Sequence, residues 1–314
     1  MTTNPLKLVF MGTPDFAVPS LDALHQSDHF ITRIITQPDR PRGRGRRIMV
    51  SPVKQRALEL GYDISQPASA RGDDYLNLCI DSSPDLLVVV AYGNILPEPV
   101  ITCSPLGAIN LHASLLPKYR GAAPIQWPII NGDRETGVTT MRLDTGIDTG
   151  DILLCTRTPI QPNDTAATLH DRLAGMGAEL LVRTLNRLAA GEIEATPQDN
   201  RQATYAPLLN KKDGQIDWHQ SASAIERRVR GMTPWPGTYT FQGSRRLKIL
   251  RAAVIDATPN APPGTVVKGF ADELRVATGD GILTIVELQG ASGKRLSIAD
   301  YLRGHPISPG TVFS

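Results

Sequence analysis

Two polar residues set two apart, Asn110 and His112, carry the most chemical promise in this chain of 314 residues. They sit in the string Ala-Ile-Asn-Leu-His-Ala-Ser-Leu-Leu-Pro-Lys-Tyr-Arg-Gly-Ala-Ala-Pro, residues 108–124. Their apolar neighbours predict a short strand, on which residues i and i+2 leave the same face. An amide donor beside an imidazole at a strand exit suits the binding of an oxygen that gains negative charge during a reaction. A carboxylate nearby would favour the cationic imidazole and carry a proton. The run Leu143-Asp144-Thr145-Gly146-Ile147-Asp148-Thr149-Gly150-Asp151 offers three, Asp144, Asp148 and Asp151. Spacing alone does not choose among them.

Positioning such a cluster requires a rigid scaffold, and the pattern predicts a doubly wound, Rossmann-like α/β domain. An apolar run over residues 6–11 leads through Gly12 into a helical pattern at Val18, Leu21 and Leu24, and residues 29–36 read as a second strand. Only Gly12 stands where a dinucleotide fingerprint needs three glycines, so a nicotinamide cofactor is not expected. Residues 53–60 and 73–81 read as helices. Residues 86–90 are continuously apolar, the mark of a central parallel strand covered on both faces. That strand leads into Tyr92, Asn94, Ile95 and Leu96, at the carboxyl end where open α/β sheets place ligands. Residues 137–143 and 151–158 alternate like a hairpin around the aspartate loop. A long helix follows, with Leu169, Leu173, Met176, Leu180 and Leu188 as its buried stripe and Gly191 as its stop. The first domain is therefore expected over 1–190, and a linker without periodicity over 191–208. A second domain at 209–314 holds a helix over 222–231 and five short strands, at 238–241, 247–253, 264–267, 274–277 and 281–288. Those strands suggest a small β-barrel of the oligonucleotide-binding type.

Charge separates the two halves. Residues 1–190 carry 18 Lys and Arg against 19 Asp and Glu, and residues 191–314 carry 15 against 12. Between Lys211 and Arg251 there are nine basic residues and three acidic ones, a patch suited to a polyanion that Lys211 and Lys212 open. A second basic feature is the eleven-residue stretch 37–47. It packs Arg40, Arg42, Arg44, Arg46 and Arg47 among two prolines and two glycines. That composition predicts a loop with no regular element, and guanidinium forks match phosphate oxygens. A nucleic-acid backbone is the expected partner. Cys79, Cys103 and Cys155 are widely spaced in apolar surroundings, which points to reduced thiols. No Cys/His cluster has metal-ligand spacing, so no metal is expected. No apolar run approaches the ~20 residues of a membrane span, and the start lacks the regions of a signal peptide. The expectation is a cytoplasmic enzyme, acting as a monomer.

Three strings together, Asn-Leu-His-Ala-Ser-Leu-Leu-Pro, Arg-Gly-Ala-Ala-Pro-Ile and Gly-Ile-Asp-Thr-Gly-Asp, resemble the folate-dependent formyltransferases. The likeness continues through Ile-Asp-Trp at 216–218, Pro-Trp-Pro-Gly at 234–237 and Gly264-Thr265-Val266, so it covers essentially the whole chain. The resemblance implies that Asp148 joins Asn110 and His112 as the catalytic set. It implies that Ser114, Leu115, Leu116 and Pro117 hold the folate largely through main-chain groups, while Tyr92, Asn94, Ile95 and Leu96 line the pterin pocket. The formyl donor would be 10-formyltetrahydrofolate. The basic loop and the basic second domain place the chain nearest the branch that formylates the α-amino group of charged initiator tRNA, the methionyl ester. The competing readings are a formyltransferase acting on a UDP-amino sugar, a shorter glycinamide ribonucleotide enzyme without a barrel, and a non-catalytic RNA-binding protein. The arginine loop and the string Gly-Ala-Ala-Pro-Ile-Gln argue for the tRNA branch.

Overall fold

A computed structural model describes residues 4–42, 47–290 and 293–314. In chain order its elements are β1 (Lys7–Gly12), α1 (Val18–His25), β2 (Phe30–Ile35), β3 (Arg40–Arg42), β4 (Arg47–Met49), α2 (Pro52–Glu59), β5 (Ile64–Ser65), α3 (Asp73–Ile80), β6 (Leu86–Val90), α4 (Glu98–Ile101), β7 (Ala108–His112) and β8 (Arg120–Gly121). There follow α5 (Gln126–Asn131), β9 (Glu135–Arg142), β10 (Ile152–Pro159), α6 (Ala166–Ala189), β11 (Tyr205–Ala206), α7 (Ala222–Gly231), β12 (Thr238–Gln242), β13 (Arg245–Ile255), β14 (Val266–Val267), β15 (Leu274–Ala277), β16 (Ile282–Gln289), β17 (Arg295–Ser297) and α8 (Ile298–Gly304). They fall into two compact units. One comprises Met1–Pro124, Thr136–Thr158 and His170–Ala206, the other Ile125–Glu135, Pro159–Leu169 and Pro207–Ser314.

The first unit is built on a seven-stranded sheet of order β10-β9-β7-β6-β1-β2-β5. β1, β2, β5, β6 and β7 run parallel, and β9 lies antiparallel to β7. All five residues of β6 are buried, as its unbroken apolar run requires of a strand covered on both faces. Each such side chain contributes ~1.5–3 kcal/mol on leaving water. α6 approaches β7 closely at Gly177, where an added Cβ would lie 2.7 Å from Leu111. Gly177 thus allows the helix to press on the strand that carries Asn110 and His112.

Two segments of this unit differ from the sequence reading. Arg40–Arg42 and Arg47–Met49 pair as a two-stranded antiparallel hairpin, Arg42 opposite Arg47, where no regular element was expected. Pairing to a neighbouring strand supplies the backbone hydrogen bonds that the local composition discourages. The expected linker is the second difference. Up to residue 206 it is held to the first unit: Thr196 bridges Ile152, Thr204 exchanges main-chain bonds with Pro117 and Arg120, and β11 pairs in parallel with β8. It shows no periodicity because its hydrogen bonds run to distant segments rather than along itself.

The second unit is a six-stranded antiparallel sheet, β12-β13-β16-β15-β14 with β17 on β16. The chain's last residues join its two edges, Phe313 bridging Gln242 and Val312 bridging Thr265. The curled sheet is thereby barrel-like, as the five expected strands suggested. Its interior holds Trp218, Leu247, Ile249, Val276, Leu283, Ile285 and Phe313, and α7 covers it through Ile225 and Val229. Trp218 keeps its indole N–H satisfied on Thr240 at 3.0 Å. No helix among the described residues is long and apolar enough to cross a membrane.

Candidate active site

β6 and β7 end side by side, with Val89 opposite Asn110 and Val90 opposite Leu111. Residues 91–96 and 113–117 therefore leave from the same edge of the sheet. Asn110 and His112 are the third and last residues of β7 and share a face, as their spacing required. The imidazole is only 6% exposed. Its Nε2 lies 2.9 Å from the Tyr119 carbonyl, which can only accept, so Nε2 carries a hydrogen. Nδ1 is then the nitrogen that faces the site, 3.6 Å from Asp148 Oδ1. That separation is an ion-pair distance rather than a hydrogen bond. Nδ1 can donate only when the ring holds both protons.

Asp148 is the aspartate beside His112, and the loop explains why. Asp144 is spent locally, its carboxylate accepting from Gly146 N at 3.0 Å and from Thr149 Oγ1 at 2.7 Å. Asp148 instead accepts from Gly121 N through Oδ2 at 2.8 Å, leaving Oδ1 toward the imidazole. Its φ is +53°, a left-handed conformation that costs a non-glycine residue on the order of 1 kcal/mol. Gly150 closes the turn against β9, where an added Cβ would lie 1.9 Å from the Arg142 carbonyl oxygen.

The sequence reading missed the residues around this loop. Arg120 is 2% exposed, and its Nε and Nη2 donate to Gln198 Oε1 at 3.1 and 2.8 Å, with Nη2 also reaching Asn200 Oδ1 at 2.8 Å. Gln198 Nε2 donates onward to the Asp148 and Gly150 carbonyls at 2.9 and 2.7 Å. Arginine in the recognised Arg-Gly string was a signal; Gln198 and Asn200, in a stretch without pattern, gave none.

The residues expected to bind folate sit in different surroundings. Ser114 is fully buried, its hydroxyl donated to the Lys118 carbonyl at 2.6 Å and its own carbonyl occupied by Thr139 Oγ1 at 2.7 Å. Both groups help to close the loop. Leu116 N donates to Thr139 Oγ1, Leu115 O accepts from Lys118 N, and Pro117 O accepts from Thr204 N, so much of this main chain is engaged within the protein. Leu115 packs at Gly137, leaving no room for a Cβ there. Tyr92 and Leu96 are core residues, packed with Met11 and Tyr75, and the Tyr92 carbonyl accepts from Thr13 Oγ1 and Gln37 Nε2. Both side chains are buried in the packing beside the sheet. Asn94 and Ile95 are exposed at the expected edge, Ile95 by 75%, and Ile147, next to Asp148, by 58%. Exposed isoleucines, one following β6 and one adjoining Asp148 in the chain, offer apolar surface for a flat ring.

The comparisons with known proteins bear on this site. Residues 6–185 match the family described as formyl transferase, and residues 208–306 match the formyl transferase C-terminal domain. A methionyl-tRNA formyltransferase of Caldanaerobacter subterraneus subsp. tengcongensis is 47% identical over 308 residues, 98% of this chain and 99% of that one. The chain belongs to the methionyl-tRNA formyltransferase family. Among solved structures, an N-formyltransferase from Helicobacter canadensis, in complex with folinic acid and dTDP-3-aminofucose, superposes with a TM-score of 0.68 at 21% identity. It covers 89% of this chain and 98% of its own. Glycinamide ribonucleotide transformylase 1 from Symbiobacterium toebii gives a TM-score of 0.52 at 19% identity, covering 62% of this chain and 95% of its own. At these identities the likeness is one of fold.

Arg40 is exposed on β3, Arg42 and Arg47 sit on the hairpin backbone, and Arg44 and Arg46 lie outside the described residues. The hairpin base is fixed by Lys54, whose Nζ lies 2.6 Å from both Asp39 Oδ2 and Gln66 Oε1. The hydrogen bond from Lys54, with one from Gln66, holds the Asp39 carboxyl below the usual carboxylate range. In the second unit Lys211 and Lys212 are exposed on a turn capped by Asn210, and the Arg246 guanidinium stacks 3.6 Å over the Tyr239 ring. Among the described residues no three His, Cys, Asp or Glu side chains group as metal ligands would.

Proposed function

We propose that this protein transfers the formyl group of 10-formyltetrahydrofolate to the α-amino group of methionyl initiator tRNA, in the cytoplasm and as a monomer. The observation that carries the reading is His112 set between a main-chain acceptor and Asp148, two residues from Asn110 on one strand face. It is supported by 47% identity to a methionyl-tRNA formyltransferase over nearly the whole chain. The amino group of an aminoacyl ester titrates near or below the ~8 of a free α-amine, so much of it is neutral and nucleophilic at cell pH. As it attacks the formyl carbon, the carbonyl oxygen gains negative charge, and the Asn110 amide and His112 Nδ1–H donate to it. One such donor is worth ~3 kcal/mol of barrier. Asp148 takes the proton that leaves the amine, through water, and passes it to the folate nitrogen that departs, so charge and protons balance. Asn94 and Ile95, with Ile147, would hold the folate ring, while Leu115, Leu116 and Pro117 shape the wall beside them.

Arg40, Arg42, Arg44, Arg46 and Arg47, with Lys211 and Lys212, would take phosphates of the tRNA. Such contacts position RNA with little sequence reading and make binding fall steeply with salt. The deciding experiment supplies labelled 10-formyltetrahydrofolate with charged initiator tRNA, a UDP-amino sugar and glycinamide ribonucleotide as parallel acceptors. Label on the tRNA alone is the expected result. Label on a small acceptor instead would overturn the substrate assignment and leave the catalytic set standing.

A further inference from the structure

We propose that Gln198 is a positioning residue for formyl transfer, with Arg120 as the group that orients it. The inference rests on the reading that Asp148 acts in the reaction. An amide can face either way, but here the neighbours decide. The Arg120 guanidinium only donates, so the oxygen it holds from two nitrogens is Oε1. The Asp148 and Gly150 carbonyls only accept, so the group 2.9 and 2.7 Å from them is the NH2. A flipped amide would set N–H against N–H on one side and oxygen against two oxygens on the other. Asn200 takes a further direction of Nη2 and fixes the plane of the guanidinium.

The consequence lies at Asp148. Its backbone holds a φ of +53°, a conformation that persists only where the surroundings over-determine it. Gln198 grips the carbonyls at residues 148 and 150, and Gly121 N grips Oδ2. Between these two anchors Oδ1 is left at His112 Nδ1. Released from Gln198, the turn is free to relax toward negative φ, which swings the carboxylate off the imidazole. Gln198 touches no reacting atom in this scheme; it acts through Asp148.

The test compares Gln198→Glu and Gln198→Met with Asp148→Asn. Gln198→Glu keeps an oxygen for Arg120 and loses both donors; Gln198→Met keeps the length and loses every polar contact. We expect kcat, normalised to tetrahydrofolate-binding sites so that only folded enzyme counts, to fall about 10- to 100-fold in both Gln198 variants. KM for folate and for tRNA should stay within about twofold, because the ligand surfaces are untouched. A wild-type kcat in Gln198→Met would overturn the inference, as would a raised KM at unchanged kcat. Asp148→Asn separates the two levels of the argument. Its own loss of turnover alongside intact Gln198 variants sinks only the positioning role, whereas full activity in Asp148→Asn removes the catalytic reading beneath it.

Discussion

The Asp144–Gly150 loop and the β3–β4 hairpin both reverse the chain between paired strands, yet they are built on opposite plans. In the aspartate loop polar groups are tied down at several points: Asp144 to Gly146 and Thr149, Asp148 to Gly121, and the carbonyls of residues 148 and 150 to Gln198. The hairpin is held at its base, by Lys54 and Gln66 on Asp39, and by three register pairs between two three-residue strands. The difference fits the roles proposed for the two regions. Moving a proton and stabilising an oxyanion require atoms fixed before the substrate arrives, since reorganisation during the reaction raises the barrier. Attracting a phosphate backbone needs charge density, and the Coulomb attraction falls off gently with distance.

If that contrast is right, damage to the loop lowers turnover and damage to the hairpin lowers affinity. The largest expected effect is His112→Ala, which should reduce kcat about 10³-fold while tRNA still binds, measured by formylation kinetics and by filter binding. Gly150→Ala comes next. A Cβ 1.9 Å from the Arg142 carbonyl forces the loop to move, so kcat should drop by about 10²-fold with a stability loss of ~1–3 kcal/mol by denaturant unfolding. Wild-type turnover in that variant would break the claim that the loop is preorganised. Replacing Arg42, Arg44, Arg46 and Arg47 with serine should raise KM for tRNA about 10- to 100-fold and flatten the slope of log KM against log salt, with kcat at saturating tRNA little changed. An unchanged salt slope would reduce the hairpin to a solvated surface feature.

These two regions also show how far the sequence could be read. β6, β7 and the second unit's helix α7 lay where the sequence pattern placed them, because their stabilising contacts follow the chain's own periodicity. The Asn110 and His112 pair was legible for the same reason, a two-residue spacing on a strand. Gln198 was not, because its meaning depends on Arg120 and Asp148, 78 and 50 residues away. The burial of Tyr92 and Leu96 was not legible, because a motif at a strand end does not tell which side chains turn inward; both are packed in the core. The hairpin was hidden by its prolines and glycines, whose local preference yields to pairing across the turn.

The smallest effect sharpens the comparison at the hairpin's anchor. Lys54→Met removes the partner that keeps the Asp39 carboxyl below its ordinary range, without touching an arginine. We expect KM for tRNA to rise about two- to threefold through looser presentation of the charges, and kcat to hold. The pH dependence gives an independent check. A carboxyl whose folded pKa is depressed contributes stability above its unfolded pKa of ~3.9, and loses it as pH falls through the folded value. In the wild type, hydrogen exchange at the hairpin amides, Arg40 and Met49 among them, should therefore speed up beyond the intrinsic rate as the pH drops below about 4. In Lys54→Met that acid step should vanish, since protonating Asp39 no longer breaks an ion pair. A step of equal size in both proteins would show that the hairpin is anchored elsewhere, and the contrast between a loop fixed at several points and a hairpin fixed at its base would no longer hold.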